Sequence, residues 1–423
     1  MNYKKTTLKN GLRIITAPMK DTQTATVFVM VGVGSRYETD KERGISHFIE
    51  HMMFKGTKKR PNTQAIANEL DAIGGEFNAF TGKTSTAYYA KSDAKHLDIT
   101  LDVISDMYLN SKFDPKEIER ERGTIIQELN MYEDMPMRSV EDVFESLLYG
   151  DQKLGREIIG IKETIQGVKR KDFVDYVKRF YLANDTVVCV AGKIDEDRVI
   201  KKIEKLFSKI EEGGKPDFEK VIEGQKSSGL KIKNKKTDQT HLVLGVRAYP
   251  DGHKDEYVLS LLAIILGGNM SSRLFINVRE RQGLAYYIHT GSESYQDAGY
   301  LATSAGVEHK NLVKTVEIIL KEYKKIATKK VSADELKKAK DFIKGKSVMG
   351  LESSNAVASF LVGQEVARGK ILKPQDIFRK IDKVSADDIL RVAKDIFVES
   401  KLNLAVIGPH KKNKELEEIL KFK

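Results

Sequence analysis

Three pairs of segments in this chain match at nearly one spacing, and that repetition constrains the fold more than any composition does. Phe113-Asp114-Pro115-Lys116-Glu117-Ile118 opens a long charged helix in the first half, and Val331-Ser332-Ala333-Asp334-Glu335-Leu336 opens one in the second, with Glu117 and Glu335 218 positions apart. Val168-Lys169-Arg170-Lys171-Asp172-Phe173 matches Val384-Ser385-Ala386-Asp387-Asp388-Ile389 at an offset of 216. Each is followed by a helix and a closing strand, Val187 to Gly192 and Asn403 to Gly408, again 216 apart. Matches that share an offset predict two copies of one α+β unit. A chain of 423 residues is too long for one ordinary core, and its 40% hydrophobic content is enough to fill two. The expected architecture is α+β, two homologous α/β-sandwich-like domains over residues 1–210 and 230–423. Between them, residues 211–229 have the turn-rich composition of a linker, through Glu211-Glu212-Gly213-Gly214, Pro216 and Gly224-Gln225-Lys226-Ser227-Ser228.

Other features exclude whole classes of function. No apolar run nears the ~18 residues that a membrane span needs. Thr6 to Ile15 reads as a strand, an Asn10-Gly11 turn and a second strand directly after the first five residues, which leaves no room for a signal or transit peptide. The single cysteine, Cys189, sits in the strand-like Val187-Val188-Cys189-Val190 and is expected to be an inert buried hydrophobe. These features together predict a cytoplasmic protein. The net charge of +11 raises the question of acidic partners. Lysine clusters such as Lys231 to Lys236 and Lys411-Lys412 carry no aromatic interleaving and no nucleic-acid motif, so the charge is read as a solvated surface. Neither nucleic acid nor membrane is expected as a partner.

The chemistry concentrates at His47-Phe48-Ile49-Glu50-His51. On a helix, positions 47 and 51 stack on one face about 6 Å apart along the axis. That is a zinc-chelating pair, with Glu50 beside it to touch a water in an open zinc position. The order H-x-x-E-H reverses the zincin motif and reads as the inverzincin signature. Ile45, Phe48, Ile49, Met52 and Phe54 surround the polar trio, so the helix is not a wholly solvated one. In the second copy the positions corresponding to His47, His51 and Glu128 are Ile264, Gly268 and Lys346, so only the first copy is expected to hold metal.

A catalytic zinc usually takes three protein ligands. The acidic helix from Pro115 to about Glu133 offers Glu117, Glu121 and Glu128, the last two on one face at two turns' spacing, and spacing alone does not choose among them.

At this point the chain resembles the pitrilysin, or insulinase, metallopeptidases, and within them the short processing-peptidase-like branch. In that family a glutamate ligand follows the H-x-x-E-H helix by 75 to 80 positions, and Glu128 stands 77 after His51. The resemblance implies zinc held by His47, His51 and Glu128, Glu50 as general base, and Glu121 supporting the site from behind. Gly74-Gly75-Glu76-Phe77-Asn78-Ala79-Phe80-Thr81 looks like the family's active-site edge strand, which implies that Phe77, Asn78, Ala79 and Phe80 bind extended peptide by β-addition. Gly267 to Phe275 looks like a signature of the second copy, and Arg279 and Tyr286 look like the paired residues that reach substrate opposite the zinc. Tyr287 adjoins Tyr286 and leaves open which tyrosine acts.

The resemblance implies a Zn2+-dependent endopeptidase acting on unfolded peptides or presequences. Long members of the family enclose a chamber with four such units, whereas this chain has two, so a homodimer or heterodimer is expected to close it. The alternative is a non-catalytic, structural core-type subunit of the same fold. Such chains typically lose their zinc ligands, and this one retains them.

Overall fold

The computed structural model describes residues 1–214, 216–411 and 414–422. Lys215 of the linker and Lys412 of the C-terminal basic pair lie outside the described residues. The chain forms two compact units, and neither is continuous in sequence. One comprises Met1–Asn130, Glu157–Glu219 and Val348–Lys373, and the other Met131–Arg156, Lys220–Ser347 and Pro374–Lys423.

The first unit is built on a six-stranded sheet of β1 (Lys4–Thr7), β2 (Arg13–Pro18), β3 (Thr24–Val31), β4 (Glu76–Thr81), β5 (Thr86–Asp93) and β6 (Thr186–Gly192). Their order is β1-β2-β6-β3-β5-β4, with β2 and β6 parallel and the other neighbours antiparallel. Gly11, at φ +87°, makes the turn between β1 and β2, a conformation open to glycine. The second unit carries a five-stranded sheet of β7 (Gly229–Asn234), β8 (Thr240–Ala248), β9 (Ala285–Ser294), β10 (Gly299–Val307) and β11 (Leu402–Gly408) in the order β7-β11-β8-β10-β9. With β1 set aside, the two orders coincide strand for strand, including the parallel pair β7 and β11. Strands β6 and β11 start 216 residues apart, as do the helices Arg170–Phe180 and Ala386–Ile396 that precede them. The internal duplication is thus present in the fold, which is α+β.

Side chains alternate across a strand, and here both faces are apolar. On one face of the first sheet Ile14, Val27, Val29, Val31, Val188 and Val190 join a core with Phe48, Leu101, Ile104 and Phe173. On the other face Ile15, Ala17, Phe28, Met30, Val187, Cys189 and Ala191 pack against Val357, Ala358, Leu361 and Val362 of the helix Ser354–Arg368. Buried there, the Cys189 thiol has its pKa pushed up and stays protonated. The second sheet follows the same plan. Leu242, Leu244, Val246, Leu404 and Val406 face one core, while Val243, Ala405 and Ile407 pack against Val140, Val143, Phe144 and Leu148 of the helix Pro136–Tyr149. Pro136 and Ser354, which open these two helices, are 218 residues apart and so are equivalent positions of the repeat. Each copy therefore supplies the helix that covers the other copy's sheet.

Polar contacts hold the helix Ser354–Arg368 in register. The Ser354 hydroxyl lies 2.9 Å from those of both Thr24 and Thr26 on β3. The buried Glu365 carboxylate pairs with Lys5 at 2.6 Å and Arg13 at 3.1 Å. No helix among the described residues is long and apolar enough to cross a membrane. Leu361 is fully buried in this packing, so Leu361→Ala is expected to destabilise the protein by about 2–5 kcal/mol in urea unfolding. A cost under about 0.5 kcal/mol, the range of ordinary surface changes, would show that the first sheet does not depend on this helix.

Candidate metal centre

The helix Ile45–Met53 carries the motif, and its apolar residues hold it in place: Ile45, Phe48, Ile49, Met52 and Met53 are all buried. Phe48 meets Phe173 edge-on at 4.9 Å between ring centroids. Its N-terminus starts at Gly44, with φ +90°, where a β-carbon would come within 2.5 Å of the Ile159 carbonyl oxygen. Only glycine fits so close an approach in that conformation. Two of the free N–H groups of the first turn, those of Gly44 and Ser46, donate to the Glu38 carboxylate at 2.7 and 2.8 Å. Burial pushes the pKa of Glu38 up to about 7, and these two hydrogen bonds oppose the rise.

With the apolar side fixed, His47, Glu50 and His51 face the helix Pro115–Glu133. Of its three candidate acids, Glu117 turns to Arg120 at the surface. Glu121 and Glu128 reach the histidines. His47 Nε2 lies 3.7 Å from Glu128 Oε1, and His51 Nε2 lies 3.5 Å from Glu128 Oε2. One ligand atom from each of His47, His51 and Glu128 falls within 4.8 Å of the others, the one cluster of this kind among the described residues. A tetrahedral zinc with bonds of about 2.0–2.1 Å holds its ligand atoms roughly 3.3 Å apart. The two measured separations are close to that, so the three side chains fit such an ion with small rotations. Burial, then the neighbouring His51, push the His47 pKa down to about 3, which leaves its imidazole neutral as a ligand must be.

Glu121 completes the support. Its Oε1 is 2.8 Å from His51 Nδ1, and its Oε2 pairs with Lys55 Nζ at 2.6 Å. Burial raises the pKa of Glu121, but the hydrogen bonds from His51 and Lys55 outweigh it and hold the carboxyl below its ordinary range. His47 has no such brace, since its Nδ1 is buried without a hydrogen-bond partner.

Glu50 lies on the same turn. Its Oε2 accepts a 2.6 Å hydrogen bond from the Thr81 hydroxyl at the end of β4. Burial raises the Glu50 pKa, and the Thr81 bond works against that rise. Strand β4 is the edge of its sheet, paired with β5 on one side, from Glu76 opposite Lys91 to Thr81 opposite Thr86. Phe77 and Ala79 turn toward the core, with Phe77 6.2 Å from Phe54 between centroids, while Asn78 and Phe80 face out. Among the sequence candidates, then, His47, Glu50, His51, Glu121 and Glu128 come together, and β4 runs up to them.

Arg279 and Tyr286 belong to the second unit. Arg279 lies in a π-helical turn, Phe275–Glu280, with its guanidinium 4.8 Å from the Phe275 ring and 5.6 Å from that of Tyr286. Tyr286 is 76% exposed. Tyr287 turns the opposite way, and its hydroxyl lies 3.0 Å from His241 Nδ1. In the Gly267 to Phe275 segment Arg273 pairs with Glu335 at 2.7 Å, a structural contact.

Sequence reasoning did not single out Lys55 or Thr81. Lys55 follows His51 by four positions, the spacing of side chains on one helix face. In a chain with 72 lysines and arginines that spacing carries little information.

The chain matches the family profile described as "Insulinase (Peptidase family M16)" over residues 13–162. It matches the profile "Peptidase M16 inactive domain" over residues 167–342. An uncharacterized zinc protease of Rickettsia felis is 37% identical over 97% of this chain and 98% of its own length. The uncharacterized zinc protease YmxG of Bacillus subtilis is 36% identical over 96% and 98%. Among solved structures, a protease from Helicobacter pylori superposes with a TM-score of 0.89 at 24% identity, over 96% of this chain and 99% of that one. That structure shares the fold. The end-to-end matches to the Rickettsia and Bacillus proteins, together with the two family profiles that match in succession along the chain, show that it belongs to the insulinase (M16) family of peptidases.

Proposed function

We propose that the protein is a zinc-dependent endopeptidase whose ligands are His47, His51 and Glu128 and whose general base is Glu50. The observation that carries this reading is the convergence of three ligand atoms within 4.8 Å beside a carboxylate that is already oriented by a hydrogen bond. The relatives' names, zinc proteases in each case, support the choice of metal. A zinc ion, when bound, supplies Lewis-acid polarisation of the scissile carbonyl and lowers the pKa of a water toward about 7. Glu50, with Oε2 held by Thr81, offers Oε1 to take the proton from the attacking water and return it to the leaving amine nitrogen. Glu121, through His51 Nδ1, keeps the other ring nitrogen turned toward the centre.

Substrate binding follows from the open edge of β4. An extended peptide adds to it as a further strand, and its backbone hydrogen-bonds to the Phe77 to Phe80 stretch. Backbone pairing is indifferent to side chains, so the substrates are unfolded peptides or presequences. A closed chamber would exclude folded proteins.

Arg279 and Tyr286 act on the bound peptide, with the Tyr286 hydroxyl donating to the developing oxyanion. Its exposure, and the engagement of Tyr287 with His241, favour Tyr286 over its neighbour. Two copies of the repeat form half of a four-unit chamber, and a dimer closes it. Each zinc domain then works with the Arg279 and Tyr286 of the other chain.

Glu50→Gln is expected to retain zinc, because it removes no ligand, and to lower kcat for an unfolded peptide by about 10²- to 10⁴-fold. Loss of metal from that variant would move Glu50 into the ligand set, and near-normal turnover would remove its role as base. Mixing Glu50→Gln chains with Tyr286→Phe chains, each inactive alone, is expected to restore activity at one site of each mixed dimer. If subunits exchange and the mixture stays inactive, the pairing lies within one chain.

A further inference from the structure

The acids of the metal centre outnumber its cations. Glu50, Glu121 and Glu128 lie on the two facing helices, and among the described residues Lys55 is the one lysine or arginine paired with any of them. We propose that Lys55 is a positioning residue for the metal centre, acting through Glu121 on His51. The inference rests on the reading that His47, His51 and Glu128 hold a zinc ion.

The geometry is a three-membered relay. Lys55 Nζ pairs with Glu121 Oε2 at 2.6 Å, and Glu121 Oε1 lies 2.8 Å from His51 Nδ1. With its second oxygen taken by a cation, Glu121 turns its first to His51, where an ionised carboxylate accepts the Nδ1 proton. That fixes the tautomer and the ring plane, and leaves the Nε2 lone pair toward Glu128 and the metal. His47, whose Nδ1 has no partner, lacks this support. The braced ligand is therefore His51, and its brace ends on Lys55. Charge balance points the same way. Three carboxylates against a divalent cation leave one negative charge, which Lys55 cancels in a site where burial makes uncompensated charge costly.

Lys55 is also held more firmly than a surface lysine. Its backbone N–H donates to the Met52 carbonyl at 3.1 Å, so the chain is still turning with the helix. The next residue, Gly56, has φ +122°, and a β-carbon there would come within 2.6 Å of the Pro61 carbonyl oxygen. Thr57 then bonds Asp106 at 2.6 Å, and the buried Arg60 joins Asp106 to Glu69 and Asp102. This knot fixes the chain just after Lys55 as the helix fixes it just before. The lysine stem thereby starts from a fixed backbone position within reach of Glu121.

The test measures zinc binding by metal-stripped full-length protein against a competing chelator. Lys55→Met is expected to weaken zinc binding about 10-fold, the lower end of the range for outer ligands' partners because Lys55 stands one step further out. The visible spectrum of the cobalt-substituted variant is expected to shift from that of the cobalt-substituted parent, while metal-free unfolding midpoints stay equal. In a Glu121→Ala background the same substitution is expected to change zinc affinity by less than about twofold, because the relay is already broken. Parental zinc affinity in Lys55→Met overturns the inference. So does an effect of full size without Glu121, or an equal loss of stability in the metal-free proteins. A parent protein that binds no zinc overturns the metal reading itself, and so is told apart from a failure of Lys55 alone.

Discussion

Each sheet in this protein is apolar on both faces, and the need to cover two faces at once organises the rest of the structure. Local helices cover one face of each sheet. The other faces, lined by Ile15, Phe28 and Cys189 in one case and Val243 and Ile407 in the other, are covered by helices from the opposite copy of the repeat. A duplicated chain folded as two contiguous halves would leave those faces in water, at roughly 25 cal/mol for each Å² of apolar surface. The exchange of the helices Pro136–Tyr149 and Ser354–Arg368 removes that penalty and ties the first copy to residues more than 300 positions away, as the Lys5 to Glu365 ion pair shows.

The metal centre uses the rigidity this packing provides. The helix Ile45–Met53 is wedged on its apolar side by Phe48 and Met52, so the histidines are presented on the opposite, polar side. What remains is electrostatic. Each acid here has its own partners: Glu121 pairs with Lys55 and His51, Glu50 accepts from Thr81, and Glu128 faces the two imidazoles. That last arrangement suits a divalent cation.

Much of this was legible in the sequence, and what was not had a physical reason. The helix at Ile45–Met53 followed from apolar residues at helical spacing, and the offsets of 216 and 218 revealed the duplication. Which acid of the helix Pro115–Glu133 meets the histidines was not legible from spacing, because Glu117, Glu121 and Glu128 all lie on it and the crossing point of two helices is a tertiary quantity. Adjacent Tyr286 and Tyr287 must point to opposite faces of β9, but nothing local says which face is exposed. The helix exchange was hidden for the same reason, since an apolar stripe announces that it is buried without saying against which sheet. Lys55 and Thr81 became visible only when their partners, distant in sequence, were in place.

Anomalous diffraction at the zinc edge, on crystals grown from protein never exposed to chelator, tests the central claim most directly. The account predicts one peak per chain, bounded by the Nε2 atoms of His47 and His51 and the carboxylate of Glu128, with Glu50 outside bonding distance. A peak in the second copy, a peak ligated by Glu121 in place of Glu128, or no peak between the two histidines would contradict it.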